Sequence, residues 1–281
     1  MTPTLGAPAS LSRWFDPQPA TLPADQPLVC VRDGAVAHVV LNRPAKRNAM
    51  NAAMWDALAP LMAGLDADAS VRLVVLRGAG TAAFSAGADI AEFAATFADA
   101  GSTARYNAAV RHAQLAVERS TKPTLAVIHG NCVGGGCGLA LACDLRFASD
   151  DARFGIPASK LGVAYSVPDT RRLVALVGPS RAKDMLFSGR LLDAAQAAGF
   201  GLVDRVVASA RLEQAAADYA RLLLANSPQA IGIAKAVINS LSGVDPQAEE
   251  LLDGRFTASF ASADFREGYC AFIEKRPPKF E

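Results

Sequence analysis

Thr124-Leu-Ala-Val-Ile128 runs directly into His129-Gly130-Asn-Cys-Val-Gly134-Gly135-Gly136-Cys137-Gly138. The first five residues have strand character, the glycine run marks a chain reversal, and the Gly/Ala/Leu-rich stretch to Ala142 predicts a helix. The same order recurs upstream, where strand Val71–Arg77 leads through a Gly- and Ala-rich loop into Phe84-Ser-Ala-Gly87-Ala88-Asp89-Ile90. Glycine at such a handover lets backbone N–H groups approach a ligand closely, and a helix N-terminus adds partial positive charge there. Two N–H groups converging from two such turns would hold a developing oxyanion.

Outward from these turns the pattern is consistent. Leu28–Arg32 and Ala35–Leu41 flank Asp33-Gly34, which predicts a hairpin with a type I′ turn. Asn51 predicts an N-cap for a helix through Met54, Leu58, Leu61 and Leu65 that contains Pro60. Helical segments extend to Arg119, and a strand follows at Leu145–Ala148. Strands alternating with helices make this an α/β protein. Beyond Pro168, helix starts at Pro179, Asp193, Ser227-Pro228 and Ser262 predict a mostly helical last third.

Composition narrows the function. The chain has 281 residues, 51% hydrophobic and 20% charged, with a formal net charge of +1. That excludes a disordered tail and a nucleic-acid binder working through bulk positive charge. No apolar run approaches the ~20 residues of a membrane helix. Five cysteines sit within apolar stretches, as reduced buried thiols of a cytoplasmic protein would, and Cys137 and Cys143 lack the His partners of a zinc site, so no metal is expected. Residues 1–27 carry six prolines at positions 3, 8, 17, 19, 23 and 27 and read as a flexible leader, neither secretory signal nor transit peptide.

Gly78-Ala-Gly80-Thr-Ala-Ala83 fits G-x-G-x-x-A after a strand, with Asp99 at roughly the ribose-binding distance. A dinucleotide fingerprint needs a helix to start within it. Here another Gly/Ala turn follows, and that reading is set aside.

Asn42-Arg43-Pro44 with Arg47-Asn48-Ala49, Phe84 to Asp89, Gly134-Gly-Gly-Cys137 with Cys143-Asp144, Phe154-Gly155, Leu161-Gly162 and Glu274-Lys275-Arg276 occur in order. This set resembles the enoyl-CoA hydratase/isomerase (crotonase) superfamily from about residue 28 to the C-terminus. The resemblance implies a crotonase-like α/β fold: stacked ββα turns over 28–205, then a helical region, 206–281, used in trimer contacts and often in hexamers. It implies an acyl-CoA substrate, with coenzyme A as part of the substrate and no other cofactor, and oxyanion-hole amides at Ala88 and Gly135. Coenzyme A contacts would come from Ala86, Ala88, Asp89 and Ile90, and from Phe256, Phe272 and Lys275 near the C-terminus. Lys275, Arg276 and Lys279 are candidate phosphate partners or, alternatively, an ordinary solvated basic tail.

The chain departs from the pattern where hydratases of the superfamily carry two glutamates. Those positions are Gly138 and Ala158. Adding water across a conjugated double bond needs a group to activate water and a proton donor, each worth about 10²- to 10⁴-fold, and neither residue supplies one. Tyr165 and Ser166 are the nearby candidates, Tyr165 as a catalytic phenol or as pocket packing, Ser166 as a catalyst or a helix cap. Asp169, Arg171 and Arg172 follow on the next helix. Leu161-Gly-Val-Ala-Tyr165 is similar to the methylmalonyl-CoA decarboxylase branch, and loss of CO₂ generates an enolate without a base. A decarboxylase of malonyl-type thioesters and an inactive acyl-CoA-binding homologue therefore stand beside the general family reading.

Overall fold

A computed structural model describes residues 22–96, 98–241, 263–276 and 278–279. The strands are β1 (Leu28–Asp33), β2 (Val36–Leu41), β3 (Leu73–Gly78), β4 (Ala83–Ser85), β5 (Thr124–Ile128), β6 (Asn131–Val133), β7 (Leu145–Ser149), β8 (Arg153–Gly155), β9 (Leu192–Asp193) and β10 (Arg205–Val207). The α-helices are α1 (Ala52–Ala67), α2 (Phe93–Thr96), α3 (Ala100–Glu118), α4 (Gly135–Leu141), α5 (Val167–Val177), α6 (Pro179–Ser188), α7 (Ala194–Phe200), α8 (Leu212–Leu224), α9 (Pro228–Leu241) and α10 (Ala263–Glu274).

Six strands form one sheet in the order β1-β2-β3-β5-β7-β10, and four form a second in the order β4-β6-β8-β9. The pairs β3–β4, β5–β6 and β7–β8 each place one strand in each sheet, and successive pairs lie parallel. The chain therefore climbs as a spiral of two strands and a connecting helix per turn, the crotonase-type α/β arrangement. Gly130 makes one corner: its φ is +56°, and a Cβ there would lie 2.2 Å from Ala82 O. Only glycine fits that reversal.

Strand periodicity divides the core. Val39, Leu41, Val74, Leu76, Ala126 and Ile128 face a cluster containing residues of α1, α4 and α5. Their alternates Val36, Leu73, Val75, Leu125 and Val127 pack with Leu212, Ala216, Ala217, Ala220 and Leu223 of α8. A sheet covered on both faces needs continuous hydrophobic strands, and β2 and β3 are buried along their whole length.

The hairpin and the far edge of the six-stranded sheet differ from the sequence reading, while the Asn51-capped helix forms as expected. The hairpin closes one residue later than expected, on Gly34-Ala35, with Asp33 paired to Val36. Gly34 has φ +55° while Ala35 does not enter the left-handed region, a pattern suited to type II′ rather than I′, because alanine resists φ > 0. Pro60 lies inside α1 without ending it, and Asn51 caps that helix by accepting from Met54 N at 3.0 Å. Finally, β10 carries the six-stranded sheet past position 205, to Val207. No described helix is long and apolar enough to cross a membrane.

Candidate active site

The first glycine turn is held by the Asn42-Arg43-Pro44 to Ala49 segment. Asn48, buried at φ +56°, donates to Ala79 O at 3.0 Å and Ala83 O at 2.7 Å and accepts from Arg43 N at 3.1 Å. Arg43 pairs with Asp89 at 2.7 Å and donates to Ala49 O at 2.7 Å, and this guanidinium holds the Asp89 carboxyl below its ordinary pKa. Met50 N donates to Gly87 O at 2.7 Å and Asp89 N donates to Met50 O at 2.9 Å. In this parallel bridge the flanking residues bond Met50, so Ala88 turns its own N–H to the opposite side.

That side faces the second glycine turn. Gly134 has φ 56° and ψ −121°, its N–H donates to Gly155 O at 2.9 Å, and its carbonyl accepts the first bond of α4 from Gly138 N at 3.0 Å. Gly135 thus sits in the first turn of α4, where N–H groups have no intrahelical partner. A Cβ on Gly135 would lie 3.8 Å from Ala88 N and 3.3 Å from Trp55 Cζ2; one on Gly87 would lie 3.3 Å from Gly135 N. The two amides lie near one another beside Trp55, and neither donates to an acceptor among the described residues. Contact between the turns depends on Gly136, whose Cβ would meet Ser85 Cβ at 2.6 Å. Ser85 Oγ meanwhile donates to Asn48 O at 2.9 Å and accepts from Gly87 N at 3.2 Å.

One turn along α4, the space beside Gly138 is occupied. A Cβ at Gly138 would lie 2.6 Å from Gln114 Nε2, 2.9 Å from Tyr165 Oη and 3.1 Å from Asp169 Oδ1. Asp169 accepts from Arg172 Nη1 at 3.0 Å and from Ser166 Oγ at 2.7 Å, and Arg172 Nη2 reaches Glu118 at 2.5 Å. Burial raises the Asp169 pKa above the ordinary carboxyl value, against the lowering effect of Ser166 and Arg172. Burial also pushes the Tyr165 phenol up, with Asp169 adding to the shift. A cavity of about 790 Å³ lies beyond the Arg172–Glu118 pair, lined by Thr124, Asp144 and Lys235 among others; neither Ala88 nor Gly135 lines it.

The remaining sequence candidates are dispersed. Ser166 caps α5, its Oγ accepting from Asp169 N at 3.2 Å. Ala158 lies in the 3₁₀ turn Pro157–Leu161, packed against the core. Ala86 and Ile90 are exposed on either side of the half-buried Ala88 and Asp89. Phe256 lies outside the described residues; Phe272 is on α10; Lys275 follows that helix, exposed at φ +54°. Arg276 is engaged by Glu267 at 2.6 Å and Glu274 at 2.6 Å, so its charge is already met within the chain. His129, just before the second glycine turn, contacts Glu213 at 2.8 Å and Ser209 at 3.4 Å. Gln114 escaped sequence reading, because nothing in a helix of mixed polar and apolar residues distinguishes the one amide turned inward.

A spiral of strand–strand–helix turns, with two glycine-built reversals packed side by side, is the arrangement of the crotonase class of α/β proteins. The enoyl-CoA hydratase/isomerase family model matches residues 32–281. A solved enoyl-CoA hydratase/isomerase family protein from Hyphomonas neptunium is 40% identical, with a TM-score of 0.88 over 92% of this chain and 98% of its own. The solved enoyl-CoA hydratase/carnithine racemase from Magnetospirillum magneticum is 38% identical, with a TM-score of 0.87 over 91% and 96%. The short-chain-enoyl-CoA hydratase of Clostridium acetobutylicum is 33% identical over 89% of this chain and 95% of its own. The chain belongs to the enoyl-CoA hydratase/isomerase family, whose members act on acyl-CoA thioesters.

Proposed function

We propose that this protein binds an acyl-CoA and polarises its thioester carbonyl between the amides of Ala88 and Gly135, stabilising the enolate that forms when charge moves onto that oxygen. The observation that carries this reading is the pair of undonated N–H groups that two glycine turns bring close together beside Trp55. Each such donor is worth roughly 3 kcal/mol in a transition state. Backbone at Ala86, Ala88, Asp89 and Ile90 would meet the coenzyme A part of the substrate. Phe256, Phe272 and Lys275 would add coenzyme A contacts, from the same or a neighbouring subunit of a trimer or hexamer. The protein needs no cofactor besides the coenzyme A of its substrate.

Gly138 and Ala158 leave the usual hydratase carboxylates absent, so efficient hydration by that pair is not expected. A second reading, decarboxylation of a malonyl-type thioester, is favoured by the Tyr165 phenol standing beside Gly138, because loss of CO₂ requires only a later protonation. Purified protein should bind acyl-CoA, show weak or no hydration of crotonyl-CoA, and be compared on methylmalonyl-CoA and ethylmalonyl-CoA for CO₂ release. Release that disappears in Tyr165→Phe supports the decarboxylase; binding with no turnover of any thioester identifies a binding homologue. Hydration at the rate of an efficient hydratase contradicts the placement of Gly138 and Ala158. NADH binding that acyl-CoA does not displace contradicts the reading altogether.

A further inference from the structure

The space beside Gly138 is filled by polar atoms from two other elements. Gln114 is 2% exposed, and its side-chain amide faces the Asp169 carboxyl and helps lower its pKa, whereas the buried Tyr165 Oη has no hydrogen-bond partner among the described residues. Buried polar hydrogens are rarely left unpaired, so the Tyr165 hydroxyl beside Gly138 marks a place where a ligand or water acceptor completes it. The third atom at that point, Asp169 Oδ1, lies 3.1 Å from the position a Gly138 Cβ would occupy. A glutamate built there would place its own carboxylate oxygens about 3–4 Å from the same Cβ, by ordinary bond lengths. Residues three apart on a helix share a face, about 5–6 Å between Cβ atoms, so this carboxylate stands one helical step from the Gly135 amide.

From this arrangement we infer that Asp169, delivered by α5, is the proton-transfer group of the site in place of the carboxylate that α4 lacks, with Gln114 and Tyr165 as positioning residues. The inference rests on the enolate reading above. In the step, the bond between the thioester α-carbon and its hydrogen breaks. The electron pair moves onto the carbonyl oxygen between Ala88 and Gly135, and the proton passes to an Asp169 oxygen. Reversal returns a proton to the same carbon, so no co-reactant is consumed. The raised Asp169 pKa suits such a group, since a carboxylate closer to neutrality is the stronger base. The groups facing it are Arg172 on α5, Gln114 and Glu118 on α3, Ser166 and Tyr165 in the preceding turn, and the Cys137 and Cys132 thiols near the phenol.

The test is hydrogen–deuterium exchange at the α-carbon of butyryl-CoA in D₂O, followed by NMR, with butyryl-CoA affinity measured alongside. Wild type should exchange, with a rate that rises with pH through a single carboxyl ionisation. Asp169→Asn should lose about 10²- to 10⁴-fold of the rate with affinity unchanged. Exchange within threefold of wild type in Asp169→Asn overturns the inference, as does a flat wild-type pH profile, which can be read even if the variant does not fold. Binding without exchange in the wild type overturns the role of Asp169 and leaves the oxyanion reading intact. Absence of binding overturns that reading itself.

Discussion

Gly136→Ala should lower thioester turnover, or α-carbon exchange where that is the readout, by about 10²- to 10³-fold, the loss expected when one oxyanion donor is removed. The added methyl would sit 2.6 Å from Ser85 Cβ, 2.8 Å from Ser85 O and 2.9 Å from Ser85 Oγ. None of these atoms is the free end of a flexible side chain. Ser85 is fixed by its bonds to Asn48 O and Gly87 N, so relief can come only from moving α4 away from the Ala88 loop. The two amides then separate, and hydrogen bonds to a shared oxygen weaken steeply with distance and angle. Overpacking should also cost about 1–3 kcal/mol of stability. Gly64→Ala is the control, because the Gly64 Cβ position in α1 has open space around it and the same substitution there should be neutral or stabilising by about 1 kcal/mol. Undiminished activity in Gly136→Ala would mean that the spacing of the two turns does not matter.

Acid should destabilise the protein through His38. This residue lies on β2, 1% exposed, and burial together with the nearby Arg77 charge lowers its pKa from 6.5 to about 3. Below pH 6.5 the unfolded chain takes up a proton that the folded chain refuses. Stability is therefore fully present above that pH and is lost progressively as pH falls toward 3. At about 1.4 kcal/mol per pH unit, the loss from this group alone is about 3 kcal/mol by pH 4 and about 5 kcal/mol over the whole window. Denaturant unfolding at pH 7 and pH 4 should show a larger drop for wild type than for His38→Leu. Equal drops would show that His38 does not govern the acid limb.

The fold was legible because its defining features are local. Alternating strand and helix patterns, the glycine run at Gly134 to Gly136, and caps such as Asn51 each leave a sequence signal, and each occupies the expected element. The opposition of Ala88 and Gly135 could be inferred only through family resemblance, since no spacing rule brings together turns separated by a long helix and a strand. The surroundings of Gly138 were less legible still. A missing side chain shows in the sequence, but what fills its place depends on how α3 and α5 pack across α4. Gln114 and Asp169 are 55 residues apart in number and meet only there. Likewise Asp33-Gly34 announced a turn, while the exact residue pair was decided by strand register.

In the proposed mechanism two backbone amides, those of Ala88 and Gly135, grip one thioester oxygen. Infrared difference spectroscopy of a bound acyl-CoA carrying ¹³C at its carbonyl measures this directly, because hydrogen bonds to the oxygen weaken the C=O bond. The carbonyl band of the bound thioester should move to lower frequency than in water, and Gly136→Ala should return it toward the free value. A bound thioester whose carbonyl vibrates as it does in solution would contradict the account.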